Sequence, residues 1–270
     1  MPIRGHNQRL MEPSSVQTSA ACKCCNAEAL FLGSVDFNRS CEDRRQPRPF
    51  PPSPEMVPYY RCGNCGFIFT PYCDSWSAAD FKARIYNDDY QKADYDPNIV
   101  NGIQATVSYA NGKQLAALLA GSERRIRLLD FGAGGNPGKM GQALIDRGFR
   151  VTSYEPYFAD QVALPSGKFQ VIFSVEVFEH CHDVNGMAEF IGDHLADDGV
   201  LYFSTMLHPH PSGDDVMSSW YIAPRNGHIS IFTLAAITIL FRKVGINIVQ
   251  TAFGLLGIRN PTRFPNGLFV

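Results

Sequence analysis

The chain has 270 residues, 45% of them hydrophobic and 19% charged, with a formal net charge of −2. That length fits one large domain, or one domain plus a small module, and the apolar share excludes wholesale disorder. The slightly acidic balance argues against an extensive nucleic-acid footprint, which needs a basic face.

Residues 1 to 20 read as a polar, mobile leader with no apolar core of signal-peptide length. The most apolar later stretch, ISIFTLAAITILF, is too short to span a bilayer. A cytoplasmic protein with no membrane partner is therefore expected. Residues 21 to 75 form a cysteine- and proline-rich block with the loop-like run RRQPRPFPPSPEMVP inside it. Seven of the eight cysteines lie here, and without a secretion signal they read as metal ligands rather than disulfides.

Two C-x-x-C pairs, Cys22 with Cys25 and Cys62 with Cys65, each place two sulfurs on one face of a tight knuckle. Together they spell a four-cysteine zinc ribbon, since thiolates favour Zn2+ over harder ions. Cys24 is an alternative to Cys25, and Cys41 and Cys73 are spare. Four thiolates leave no open position, so the expected role is structural. RRQPRP is the one locally basic piece and reads equally well as a solvated loop.

Residues 76 to 102 are a helical connector, and from 103 to 270 helices and strands alternate. VSYANGKQLAALLA is a helix closed by Gly121, RIRLLDF a buried strand, KMGQALIDRGF a helix and RVTSYEP a strand. FQVIFSVEVF begins as a strand, NGMAEFIGDHLADDG is a helix closed by Gly199, and VLYFSTM is a strand. TLAAITILFRKVG is a helix, INIVQTAFGLL one strand, and the final GLFV a possible edge strand. The expected fold is α/β, a Rossmann-like, mostly parallel sheet with helices on both faces, plus the small N-terminal zinc ribbon.

The stretch LLDFGAGGNPG decides the ligand class. A dinucleotide fingerprint needs a third glycine where Pro137 stands, and a P-loop needs Ser or Thr where Met140 stands. Asp130, before the glycines, would repel a pyrophosphate but suits a cationic ligand. Glu155, at the end of the next strand, suits two ribose hydroxyls.

An acid, a glycine turn and a second acid resemble the class I S-adenosylmethionine-dependent methyltransferases. FQVIFSVEVFEHCHD resembles the fourth-strand segment of their quinone-biosynthesis type. The resemblance covers roughly 103 to 253. It implies that Asp130 serves the methionine part of the cofactor, that Gly132 and Gly134 allow close backbone approach, and that Glu155 holds the ribose. Asn136 stands where the family pattern carries another glycine. Only YFADQVALPSGK separates Glu155-Pro156 from the fourth strand, which is short for a helix, a third strand and an adenine-contacting acid. Asp160 and Ala163 are the adenine candidates. The ribbon followed by RIYNDDY also resembles, more faintly, bacterial enzymes that methylate sugar nucleotides and other small metabolites.

Methyl transfer to a hydroxyl or carbon needs alignment and a base, and histidine is the natural base near neutral pH. Candidates are His180, His182, His208, His210 and His228, with His228 first and His180 second; any one of them also serves as a structural donor or cap. Trp220 and Tyr221 are candidates for a pocket wall or for core, and Glu179 for orienting a neighbour. The expected activity is O- or C-methylation of a small metabolite with S-adenosylmethionine as cofactor. An RNA methyltransferase using the ribbon for RNA, and a non-catalytic protein that keeps the cofactor fold, are the alternatives.

Overall fold

The computed structural model describes residues 17–123, 125–155, 164–209, 216–251 and 254–259. The cysteine block opens with β1 (Ser19–Ala21), β2 (Glu28–Asp36), β3 (Met56–Cys62) and β4 (Ile68–Phe69), paired antiparallel in sequence order. The connector carries α1 (Ala78–Arg84) and α2 (Tyr90–Ala93). Ser77 and Asp80 close a reciprocal capping box that starts α1.

The second half runs α3 (Val107–Leu118), β5 (Arg127–Phe131), α4 (Lys139–Ile145), β6 (Arg150–Tyr154), β7 (Phe169–Val175), α5 (Val184–His194), β8 (Leu195–Ser204), β9 (Ser230–Ile231), α6 (Leu234–Arg242), β10 (Asn247–Thr251) and β11 (Gly254–Ile258). Its sheet has the order β10-β11-β8-β7-β5-β6. The β6, β5, β7 and β8 strands are parallel, and β11 and β10 run antiparallel at the far side. This is the expected α/β architecture.

Continuous apolar runs suit strands covered on both faces. On one face Leu115, Leu119, Met140 and Leu144 from α3, α4 and their ends pack on Leu128, Val171 and Phe173. On the other, Ile191, Leu240 and Phe241 from α5 and α6 pack on Leu129, Ile172 and Phe203. That second core continues into the cysteine block, where the Phe67 ring lies 4.9 Å from Phe232. Backbone pairing also crosses over, because β9 joins β4 and completes a five-stranded sheet, β1-β2-β3-β4-β9.

Three boundaries differ from the sequence reading. α5 ends at His194, and Leu195 to Gly199 already belong to β8. The polar ADDG segment reads like a helix end, but Leu195 pairs with Phe169 of β7, and that tertiary pairing prevails. INIVQTAFGLL is a hairpin, β10 and β11, rather than one strand. α3 ends at Leu118, ahead of Gly121. The GLFV tail lies outside the described residues. Because β6 and β7 lie on opposite sides of β5, the strand order reverses there, the place at which open α/β sheets generally bind ligands.

Candidate active site and metal centre

Asp130, the penultimate residue of β5, has 5% of its surface exposed, and its Oδ2 has no hydrogen-bond partner. Burial first, and the Glu155 carboxylate second, push its carboxyl up to about 8. A cation placed beside it would reverse that shift. The glycine turn folds back on β6: the Gly132 amide donates to the Tyr154 carbonyl at 2.9 Å, and the Gly134 amide donates to Glu155 Oε2 at 3.1 Å. Asp130, Gly132, Gly134 and Glu155 are thus brought to one strand edge.

The glycines have separate reasons. Gly132 has φ +78°, and a Cβ there would meet Val177 Cγ1 at 2.4 Å. Gly134 has φ +61° and faces open space. Gly138 and Gly141, which are not among the expected cofactor residues, are the ones pressed on the carboxylate: a Cβ on either would lie 2.8 Å from Asp130 Oδ2. Glycine inside a helix costs stability unless packing requires it, and that was the available signal at Gly141. Asp160, Ala163 and His210 lie outside the described residues.

Val177 leads from the glycine turn to the segment after β7. Glu176 there adopts φ +52°, an uncommon conformation for a non-glycine residue. Its carboxylate accepts from Ser204 Oγ at 2.8 Å and from the Tyr221 hydroxyl at 3.2 Å. Glu179 is fully buried, and neither of its oxygens has a hydrogen-bond partner. Burial, with the Glu176 charge beside it, pushes Glu179 well up. His180 follows, its Nε2 3.9 Å from Glu179 Oε1.

His228 reaches the same place from the segment before β9. Its ring centre is 4.9 Å from that of His180 and 4.3 Å from that of Tyr221. Its Nδ1 lies 2.9 Å from the Tyr221 carbonyl. A carbonyl only accepts, so Nδ1 carries the proton and Nε2 keeps a lone pair. Burial pushes His180 down to about 4 and His228 well below the usual imidazole range, so both are neutral. The cysteine block supports them: the Tyr59 hydroxyl donates to the His228 carbonyl at 2.7 Å, and Cys41 Sγ lies 3.7 Å from His228 Nδ1. No spacing rule in the sequence pointed to Cys41 or Tyr59 here.

The other candidates go elsewhere. His182 packs on Phe81, with ring centres 5.1 Å apart, and its carbonyl accepts from Lys23. The His208 amide donates to the Phe232 carbonyl. Tyr221 is buried while Trp220 is 42% exposed. In the RRQPRP segment, Arg45 pairs with Glu42 at 3.5 Å and Arg48 with Asp43 at 2.8 Å.

The four sulfurs of Cys22, Cys25, Cys62 and Cys65 all lie within 4.8 Å of one another. Neighbouring pairs are 3.4 to 3.6 Å apart, too far for disulfides, and all eight cysteines are free. A tetrahedral ion about 2.3 Å from each sulfur would have edges of about 3.8 Å, so the donor set fits a thiophilic ion. Cys24 stands outside this set, buried in the adjoining core. Asn26 and Gly66, at φ 60° and 72°, make the two knuckle turns.

The chain belongs to the methyltransferase domain family, whose model matches residues 103–251. Its α/β unit is therefore an S-adenosylmethionine-dependent methyltransferase domain. No curated protein matches the sequence. Among solved structures it is similar to an O-methyltransferase family protein from Burkholderia thailandensis, with 15% identity, TM-score 0.46, and coverage of 67% of this chain and 63% of that one. It is also similar to Streptomyces venezuelae DesVI, with 15% identity, TM-score 0.42, and coverage of 59% and 94%. Human N-acetylserotonin methyltransferase, solved with S-adenosylmethionine, gives 12% identity, TM-score 0.42, and coverage of 70% and 69%. The chain thus spans less than two thirds of the Burkholderia protein's length. Among the described residues, no helix is long and apolar enough to cross a membrane.

Proposed function

We propose that the protein transfers the methyl group of S-adenosylmethionine to a small-molecule acceptor, an oxygen or carbon of a sugar nucleotide or similar metabolite. The observation that carries the reading is the buried, unpartnered oxygen of Asp130 beside a glycine turn tied to Glu155. A carboxylate so placed awaits a cationic partner. In this reading Asp130 serves the charged methionine part, Glu155 the ribose, and Gly132 and Gly134 the close approach. S-adenosylmethionine supplies an already activated methyl group, so the protein's task is alignment and proton removal.

His228 is our first candidate for proton acceptor at Nε2, with its tautomer set by the Tyr221 carbonyl, and His180 is the second. A buried, neutral imidazole holds a lone pair at neutral pH. The cysteine block, residues 21 to 75, is read as a zinc ribbon in which Cys22, Cys25, Cys62 and Cys65 hold structural Zn2+. Its contact with His228 gives it a second task, shaping the acceptor side. The ion pairs of Arg45 and Arg48 leave the RRQPRP segment poorly suited to RNA phosphates and favour a small acceptor.

Labelled-methyl transfer tests this reading against two acceptor sets, nucleotide-linked sugars and hydroxylated aromatics on one side, structured RNA on the other. Label in a small acceptor, abolished in Asp130→Asn, is the expected result. Label in RNA alone would overturn the acceptor class.

A further inference from the structure

The second group of ligand-type side chains lies away from the cysteines, where the two halves of the chain meet. One ligand atom each from Glu179, His180 and His228 lies within 4.8 Å of the other two. Glu179 has no exposed surface and no hydrogen-bond partner on either oxygen. Its nearest ring nitrogen, His180 Nε2 at 3.9 Å, is beyond hydrogen-bond reach. A carboxylate that deeply buried normally has donors or a cation; here the Tyr221 and Thr205 hydroxyls come near it without reaching hydrogen-bond geometry.

The spacing suits an ion better than a hydrogen-bond network. Ligand atoms about 2.1 Å from one metal stand roughly 3 to 3.5 Å apart, so a small inward movement closes the set. His228 is already oriented as metal-binding imidazoles are, with one ring nitrogen donating to a backbone carbonyl and the other free. Glu176, held by Ser204 and Tyr221, adds a second carboxyl nearby.

We propose that Glu179, His180 and His228 form a second metal site, taking a divalent first-row cation of the Mn2+ class with coordination positions left open. Two imidazoles and one carboxylate are a donor set that binds such ions without filling their coordination shell. It differs from the four-thiolate site in hardness and in being incomplete. The inference deepens the functional reading above, because it rests on this place being the acceptor side. A bound cation would draw an acceptor's hydroxyl oxygen into an open position and make its proton easier to lose. With the ion bound, the two imidazoles would serve as ligands and the acceptor's proton would pass to solvent water; without it they keep the proton-acceptor role given above.

The test uses the full chain loaded with zinc, so that the cysteines are occupied, titrated with Mn2+ and followed by the electron paramagnetic resonance of free Mn2+. The same preparations are titrated with S-adenosylmethionine. One Mn2+ per chain is expected, together with a higher melting temperature in its presence. Glu179→Gln and His228→Asn should each weaken uptake roughly tenfold or more. No uptake by the unaltered protein overturns the site whatever the variants do. Equal uptake by folded variants overturns it as well. Loss of S-adenosylmethionine binding with Mn2+ uptake intact would instead sink the functional reading and leave the metal site standing.

Discussion

Asp130 bears a carboxyl whose charged form its surroundings disfavour. Its carboxyl is raised to about 8, chiefly by burial and then by Glu155. In the ligand-free protein, ionising it costs stability, and that cost grows as pH rises from about 4 through 8. A cationic ligand would lower the raised value, so binding should release protons at pH 6 to 7 and strengthen with pH over that range. Calorimetry in buffers of different ionisation enthalpy measures this, and a proton count of zero at pH 6.5 would remove Asp130 from the ligand's surroundings. Gly138 and Gly134 make a second contrast. A Cβ at Gly138 would lie 2.2 Å from the Ala133 carbonyl oxygen as well as 2.8 Å from Asp130 Oδ2, whereas one at Gly134 meets nothing within 4 Å. Gly138→Ala should cost about 1–3 kcal/mol in urea unfolding. Gly134→Ala should cost only about 1–2 kcal/mol, from its left-handed backbone. Its effect on S-adenosylmethionine affinity should be the larger, because the added methyl would stand where the cofactor is proposed to approach; equal losses of affinity would contradict the separate roles given to the two glycines. The placement of Asp130 and Glu155 near strand ends was legible because an acid closing an apolar run is a local pattern. Gly138 and Gly141 were not, because their reason is a carboxylate eight and eleven positions back along the chain.

Thr233 joins two elements with one hydroxyl. Its oxygen accepts from the Ala236 amide at 3.0 Å, capping α6, and donates to the Cys65 carbonyl at 2.5 Å. Thr233→Val removes both bonds at nearly constant volume and should cost about 1–2 kcal/mol in a thermal or urea melt. A cost near zero would mean that α6 docks without the cysteine block. The long elements were legible from apolar periodicity, as in LLDF and VIFSV. The two-residue β9 was not, since Ser230 and Ile231 carry no period and form a strand only because β4 is beside them. The division of β10 from β11 escaped for a related reason: INIVQTAFGLL has no proline and no paired turn residues to interrupt it, and antiparallel pairing alone divides it.

Across the whole molecule the cysteine block is part of the main core and not a separate bead. Phe67 packs on Phe232, β4 pairs with β9, and the Thr70 amide donates to the Ile229 carbonyl at 3.1 Å. Chelating the proposed zinc should therefore loosen residues 228–233 along with 62–70, seen as faster amide hydrogen exchange in both. Faster exchange in the cysteine block alone would contradict this coupling. The C-x-x-C pairs were legible from spacing, whereas the block's approach to His228 through Tyr59 and Cys41 depends on chain segments far apart in sequence. The most direct measurement of the central claim is calorimetric titration of the zinc-loaded protein with S-adenosylmethionine and, separately, with NADH. One-site binding of S-adenosylmethionine, lost in Asp130→Asn, and no binding of NADH are expected. No heat with S-adenosylmethionine, or binding of NADH in its place, would contradict it.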